Sequence, residues 1–242
     1  MKKLLYILVL SLMLYGCAAQ PIELAEIESD EAETLIQNLS ASPSPAVSET
    51  IYGPLSIEPQ VIPDEKSRII VPEVSGCSEE DQINEAIELQ IKECVKKIDE
   101  PVWSEYSIKI NSSGILSVLV QLFSLKDNRQ LAILPLTFDS ATGDACKLSG
   151  FFDAKDERWR YVLPDIVEAQ AKRRGITLLS DLLPVKDEQS YYLYDDSGES
   201  MLVLIFNPYE ITTYAAGTPQ FFIPLSDIEH LLGGNSALLR LL

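Results

Sequence analysis

A single histidine, His230, stands among 242 residues. That scarcity excludes a metal centre built from several histidines and leaves no ordinary Ser-His or Cys-His nucleophilic pair away from the C-terminus. A Gly-x-Ser-x-Gly elbow and a glycine-rich phosphate loop are also absent from the sequence. Basic side chains are few: 19 Lys and Arg face 37 Asp and Glu, a formal charge of -18. Phosphate recognition needs clustered cations, so nucleic acid is excluded as a partner. Cysteine is nearly as scarce, with four residues, while 46% of the chain is hydrophobic. That content supplies a core of ordinary size without a disulfide framework.

What is present begins at the N-terminus. Lys2 and Lys3 precede an apolar run from Leu4 to Leu14, interrupted only by Ser11, and Tyr15-Gly16-Cys17 follow. Eleven helical residues span roughly 16 Å, about half the hydrocarbon thickness, so a signal peptide is expected over 1–16 rather than a membrane span. Leu14 three positions before Cys17, with small Gly16 between, resembles the lipobox of bacterial lipoproteins. Lipidation of Cys17 is therefore expected, against the alternative of an ordinary signal peptide that happens to contain it. Loss of Lys2 and Lys3 leaves 17 basic against 37 acidic side chains, a mature charge of -20.

Residues 17–65 read as a flexible tether. From Pro21 to Thr50 there are seven acids and no Lys or Arg, and five prolines lie between Pro43 and Pro63. Like charges and proline keep a chain extended, at about 3 Å per residue, so the tether would reach on the order of 100 Å. Residues 66–242 are expected to form a single α+β domain with a mainly antiparallel sheet, two main helices and a short C-terminal helix. Arg68–Pro72 reads as a strand, and Ser78 offers an N-cap to a helix over 79–98, where Ile83, Ile87, Ile91, Cys94, Val95 and Ile98 share one face. Hairpin turns are expected at Asn111–Gly114 and Asp195–Glu199. A strand follows over Leu131–Asp139, and a second helix over 156–174 contains Pro164, where a break or kink is expected. A last strand over Gln220–Pro224 leads into a short helix over Ser226–Leu232.

The order of several short motifs carries a resemblance. These are Val74-Ser75-Gly76, Ile83-Asn84-Glu85, Leu136-Thr137-Phe138-Asp139 with Thr142-Gly143, Tyr191-Tyr192-Leu193, Asn207-Pro208-Tyr209-Glu210-Ile211 with Tyr214-Ala215-Ala216-Gly217, and Phe222-Ile223-Pro224-Leu225. They span about 68–232. The chain resembles a bacterial extracytoplasmic domain of unknown function, which forms the outer half of a membrane-bound anti-sigma factor that senses lysozyme and which precedes some peptidoglycan deacetylase domains. Where that family usually shows a Gly-Gly-Ala-His-like stretch, Ser124-Leu125-Lys126-Asp127-Asn128-Arg129-Gln130 stands here. The resemblance implies a role at the cell envelope. It does not extend to sigma-factor control, since only Met1 to Lys3 precede the apolar run, nor to a deacetylase module, which would need about 200 further residues.

The functional expectation is a non-enzymatic, lipid-anchored binding protein outside the cytoplasm, at the bacterial cell membrane, that captures or senses lysozyme, another cationic wall-active protein or a wall component. Tyr209 and Tyr214 flank a polar connection and are the candidate partner-binding residues. The competing reading makes them half-buried rings that cover the end of a sheet. An accessory peptidoglycan-processing enzyme using carboxylates and a structural envelope lipoprotein remain alternatives. No cofactor or metal is expected: Asp195–Glu199 lacks the alternating acids of a calcium loop and reads as a turn. Of Cys77, Cys94 and Cys146, either two are paired or all three are reduced, and Cys94 is assigned to the core.

Overall fold

The computed structural model describes residues 53–182, 184–213 and 217–242. The signal peptide, Cys17, most of the tether and Tyr214 lie outside the described residues. Strand β1, Ser56–Ile62, pairs antiparallel with β2, Ile69–Ser75, over seven residue pairs from Ser56 opposite Ser75 to Ile62 opposite Ile69. This corrects the domain boundary: the fold begins ahead of residue 66, and the last part of the expected tether is a strand. The strand resembles a linker because it is an edge. Only Ile62 is buried, and Pro59 sits where an edge strand tolerates a missing donor.

Helix α1, Glu80–Val95, is driven by its isoleucine stripe: Ile83, Ile87 and Ile91 are fully buried. Burial of such a side chain contributes about 1.5–3 kcal/mol. The stripe packs on Val71 and Val74 of β2 and on Leu116, Val118, Leu136 and Phe138. Ser78 is not its N-cap. Glu79 holds that position without a side-chain cap bond, while the Gly76 N–H donates to Glu80 Oε2 at 2.8 Å. Cys94, expected in the core, is only half-buried and is not part of it, whereas Cys77 packs against it.

The central sheet is a meander of β3 (Val102–Ser112), β4 (Ile115–Ser124) and β5 (Gln130–Asp139). Its first turn places Ser113 and Gly114 at φ 53° and 72°, the conformation that a two-residue hairpin demands. Side chains do much of the fastening of the β1–β2 ribbon to its surroundings. Asn111 accepts the Leu55 N–H and donates to the Leu55 carbonyl, both at 2.8 Å. Asn84 treats Val74 identically at 2.8 Å for each bond. Ser104 Oγ accepts the Ile70 N–H at 2.7 Å and donates to its carbonyl at 2.6 Å. Each side chain thus stands in for a neighbouring strand, satisfying one donor and one acceptor.

Helix α2, Trp159–Arg174, runs unbroken through Pro164 and ends on Gly175 in the left-handed conformation. The expected break is therefore absent. A third sheet, β6 (Tyr191–Asp196), β7 (Glu199–Ile205) and β8 (Gln220–Pro224), is antiparallel throughout. One of its faces sets Leu193, Leu204 and Phe221 in a core with Trp159, Leu163 and Val167 of α2. The opposite face sets Tyr192, Val203 and Ile205 against Leu119 of the central sheet. Between these sheets the Leu193 N–H donates to Ser117 Oγ at 3.0 Å, and Ser117 bonds Thr137 Oγ1 at 3.1 Å. The short helix α3, Leu225–Ile228, passes into a 3₁₀ turn over Glu229–Leu231. The fold is α+β, with its antiparallel strands divided among three sheets.

Candidate functional site

Strand β7 delivers the buried Phe206 to a tight loop, Asn207-Pro208-Tyr209-Glu210. The loop is built by its own polar groups. The Asn207 N–H donates to Glu210 Oε2 at 2.8 Å, the Glu210 N–H to the Asn207 carbonyl at 3.0 Å, and the Tyr209 N–H to the Thr212 carbonyl at 3.1 Å. Ile211 and Thr212 then turn inward and are buried. Tyr209 itself has φ 68° and is 68% exposed. A left-handed backbone at a bulky residue costs about 1–2 kcal/mol, and such strain concentrates at binding sites. Tyr209 is therefore not a half-buried ring covering the sheet end.

Beside this loop lies a cleft of about 220 Å³ whose apolar floor includes Pro164, Leu182, Val185, Phe206 and Ile211, with Glu210 at its edge. The segment between α2 and β6 forms the far wall. It is tied to the Tyr209 loop by the Leu179 N–H, which donates to the Ile211 carbonyl at 2.9 Å. It is tied to α2 by Arg160, whose Nη1 donates to the Val185 carbonyl at 3.0 Å and whose Nη2 donates to Asp187 at 2.5 Å. The same guanidinium lies 4.4 Å from the Trp159 ring centroid, a cation–π placement.

The other candidates are placed differently. Asp195–Glu199 is a hairpin turn with Ser197 and Gly198 at φ 57° and 95°, and Asp195 Oδ1 accepts the Gly198 N–H at 2.9 Å. Its carboxylate is used to make the turn. His230 is exposed on the 3₁₀ turn over Glu229–Leu231. Among the described residues no three His, Cys, Asp or Glu side chains are grouped to hold a metal ion. The Ser124–Gln130 connection is fastened at Asn128, which has φ 59° and whose Oδ1 accepts Trp103 Nε1–H at 3.1 Å.

Cys77, Cys94 and Cys146 are free thiols. Burial raises the pKa of all three, and for Cys146, with the Asp139 carboxylate adding to burial, the value is pushed up to about 12. The neighbouring Tyr191 hydroxyl donates to the Cys146 carbonyl at 2.7 Å, and burial raises its own pKa well above 10. The Cys146 thiol and the Tyr191 hydroxyl are therefore both protonated at neutral pH. The cleft is not legible in the sequence because its lining comes from three separate stretches, Pro164, 180–189 and 206–211, that share no motif. Pro164 was the one available signal, since a proline kept inside a helix leaves a carbonyl that something else must occupy.

Residues 151–226, which include α2, the cleft and the Tyr209 loop, match a family described as "Protein of unknown function (DUF3298)". A solved DUF3298 family protein from Pseudomonas aeruginosa PAO1 is similar in fold, with a TM-score of 0.53 at 12% identity over 76% of this chain and 97% of that one. A DUF3298 family member from Bacteroides fragilis gives 0.52 at 14% identity over 78% and 98%. At these identities the likeness concerns the fold alone. No curated protein matches the chain.

Proposed function

We propose that this chain, with its DUF3298 domain, is a lipid-anchored binding protein at the outer side of the bacterial cell membrane. It captures or senses a cationic wall-active protein such as lysozyme, acts without catalysis, and meets that protein through the Tyr209 loop. The observation that carries the reading is Tyr209, a bulky residue that is 68% exposed on a left-handed backbone. Folding alone does not favour that arrangement, whereas an aromatic anchor at an interface does. The charge of -18 supports the choice of a basic partner, since complementary charge accelerates encounter. The location rests on Lys2, Lys3, the apolar run and Cys17.

Binding of immobilised protein to hen lysozyme tests the partner. The association rate should fall between low and physiological salt, where the Debye length is about 8 Å, while dissociation changes less. No binding at low salt overturns the choice of partner. For the anchor, Cys17→Ser should move the protein from the membrane fraction to the soluble fraction, and mass spectrometry of the mature N-terminus should find a lipidated Cys17. An unmodified Cys17 in native membranes overturns it.

A further inference from the structure

We infer that the open groove between the C-terminal half of α2 and residues 176–181 seats a basic, aliphatic-bearing segment of the captured protein. This rests on the capture reading above and assigns it a surface and a chemistry. The groove, about 670 Å³, is floored by Ile176 and Leu178 and rimmed by Asp165, Glu168 and Asp181. It shares Ser180 and Asp181 with the cleft beside Tyr209, so the two form one continuous surface ending at Glu210.

The charge of this surface is uncompensated from within. Four carboxylates, Asp165, Glu168, Asp181 and Glu210, line it against two cations, Lys172 and Lys186. Among the described residues neither the Asp165 nor the Asp181 carboxylate has an ion pair or hydrogen bond. Four acids outside the groove are held by arginine: Asp139 by Arg240, Glu100 by Arg129, Asp156 by Arg158 and Asp187 by Arg160. Among the described residues no arginine pairs with any of the four groove acids. Glu168 spends only Oε1, accepting the Leu182 N–H at 3.1 Å.

A floor of aliphatic carbon under a rim of carboxylates fits Lys or Arg, whose methylene stems lie on apolar surface while their heads reach the rim. The groove is shallow and open along its length, which suits a segment of a protein and not an enclosed small molecule. Seating such a segment desolvates the rim only where a cation replaces the water, so a purely apolar segment is disfavoured by the same carboxylates.

The test compares two charge reversals of equal size. One is Asp165→Lys with Asp181→Lys in the groove, and the other is Asp196→Lys with Glu199→Lys at the far end of the β6–β7 hairpin. The probes are hen lysozyme, a synthetic Lys–Leu peptide and a Lys–Ser peptide of equal charge. All nine pairings of the parent and the two reversals with the three probes are measured at physiological salt, on variants whose circular dichroism melts match the parent. If the lysine pair fails to fold, Asp165→Asn with Asp181→Asn replaces it. Groove reversal should weaken Lys–Leu peptide and lysozyme binding at least tenfold, the distant pair less than twofold, and the Lys–Ser peptide should bind the parent at least fivefold more weakly than Lys–Leu. Equal losses from the two reversals, or equal binding of the two peptides, overturn the groove. If lysozyme fails to bind while the Lys–Leu peptide binds with groove-selective loss, the groove stands and the named partner falls. If neither probe binds the parent, both fall.

Discussion

The carbonyl oxygen of Arg160 accepts the backbone N–H of Val185 at 2.9 Å. In an uninterrupted helix that carbonyl would receive the N–H of residue 164, and Pro164 has none to give. The Arg160 guanidinium returns the contact by donating to the Val185 carbonyl. A proline inside α2 therefore marks the place where the wall of the cleft is fastened to the helix, and the helix continues because its orphaned acceptor is satisfied from outside.

Arg160→Ala should lower unfolding free energy by about 2 kcal/mol, since it removes two charge-assisted bonds and a cation–π contact. Arg160→Lys should recover about half, keeping the charge but losing the fork. Urea denaturation measures both. Pro164→Ala supplies an intrahelical donor to the same carbonyl, so amide exchange at Val185 should accelerate while the amides of α2 slow or stay unchanged.

Tyr209→Ala and Tyr209→Asn remove the same ring but differ in their tolerance of a left-handed backbone. Tyr209→Asn should be the more stable of the two by about 0.5–1 kcal/mol. Equal or reversed stabilities would show that the loop relaxes away from φ 68° once the ring is gone. Both variants should bind lysozyme more weakly, by about thirtyfold if the ring lies at the interface centre.

A chain starting at residue 53 should melt within a degree or two of one starting at residue 18. One starting at residue 66 should lose on the order of 3 kcal/mol or more, because the β1 ladder and buried Ile62 go with it. Asn84→Ala leaves both polar groups of Val74 short of a partner. It should cost about 1–3 kcal/mol, an effect that a surface asparagine would not have.

With its pKa near 12, Cys146 is almost wholly protonated at pH 8. It should alkylate with iodoacetamide about a thousandfold more slowly than an unhindered cysteine, and the rate should rise about tenfold per pH unit up to about pH 11. Site-resolved mass spectrometry gives the rates. Labelling of Cys146 at pH 8 as fast as a free thiol would show that the corner opens to solvent.

The elements that could be read from the sequence are those whose cause is local. The isoleucine spacing of α1, the two-residue turns at Ser113-Gly114 and Ser197-Gly198 and the apolar, β-prone runs of β6 and β7 on either side of the second turn are dictated by neighbours within a few residues. What could not be read depends on partners far along the chain. β1 is defined by β2 and by Asn111, not by its own exposed residues, and α2 survives Pro164 only because Val185 arrives. Ser78 fails as a cap because the helix opens one residue later, with Glu79 at the cap position. At the candidate site, the exposure of Tyr209 followed from a polar loop after Pro208. The sign of its φ and the cleft behind it come from the tertiary fold, where the Leu179 and Ile211 backbones meet.

The two bonds between Asn111 and Leu55 also decide where mechanical load enters the domain. A pull on whatever precedes residue 53 reaches the fold at Leu55, so these bonds are strained before the β1–β2 ladder is. Asn111 belongs to β3, and the force passes from there into β4 and β5, across the many parallel-acting hydrogen bonds of the central meander. Helix α2 and strands β6–β8 receive the load only through the central sheet, by contacts such as the Leu193 N–H on Ser117 Oγ and Leu119 against Tyr192 and Val203. A partner held beside the groove would therefore be coupled to tension on the N-terminal end through the packing of these two sheets, and not through the β1–β2 ribbon alone.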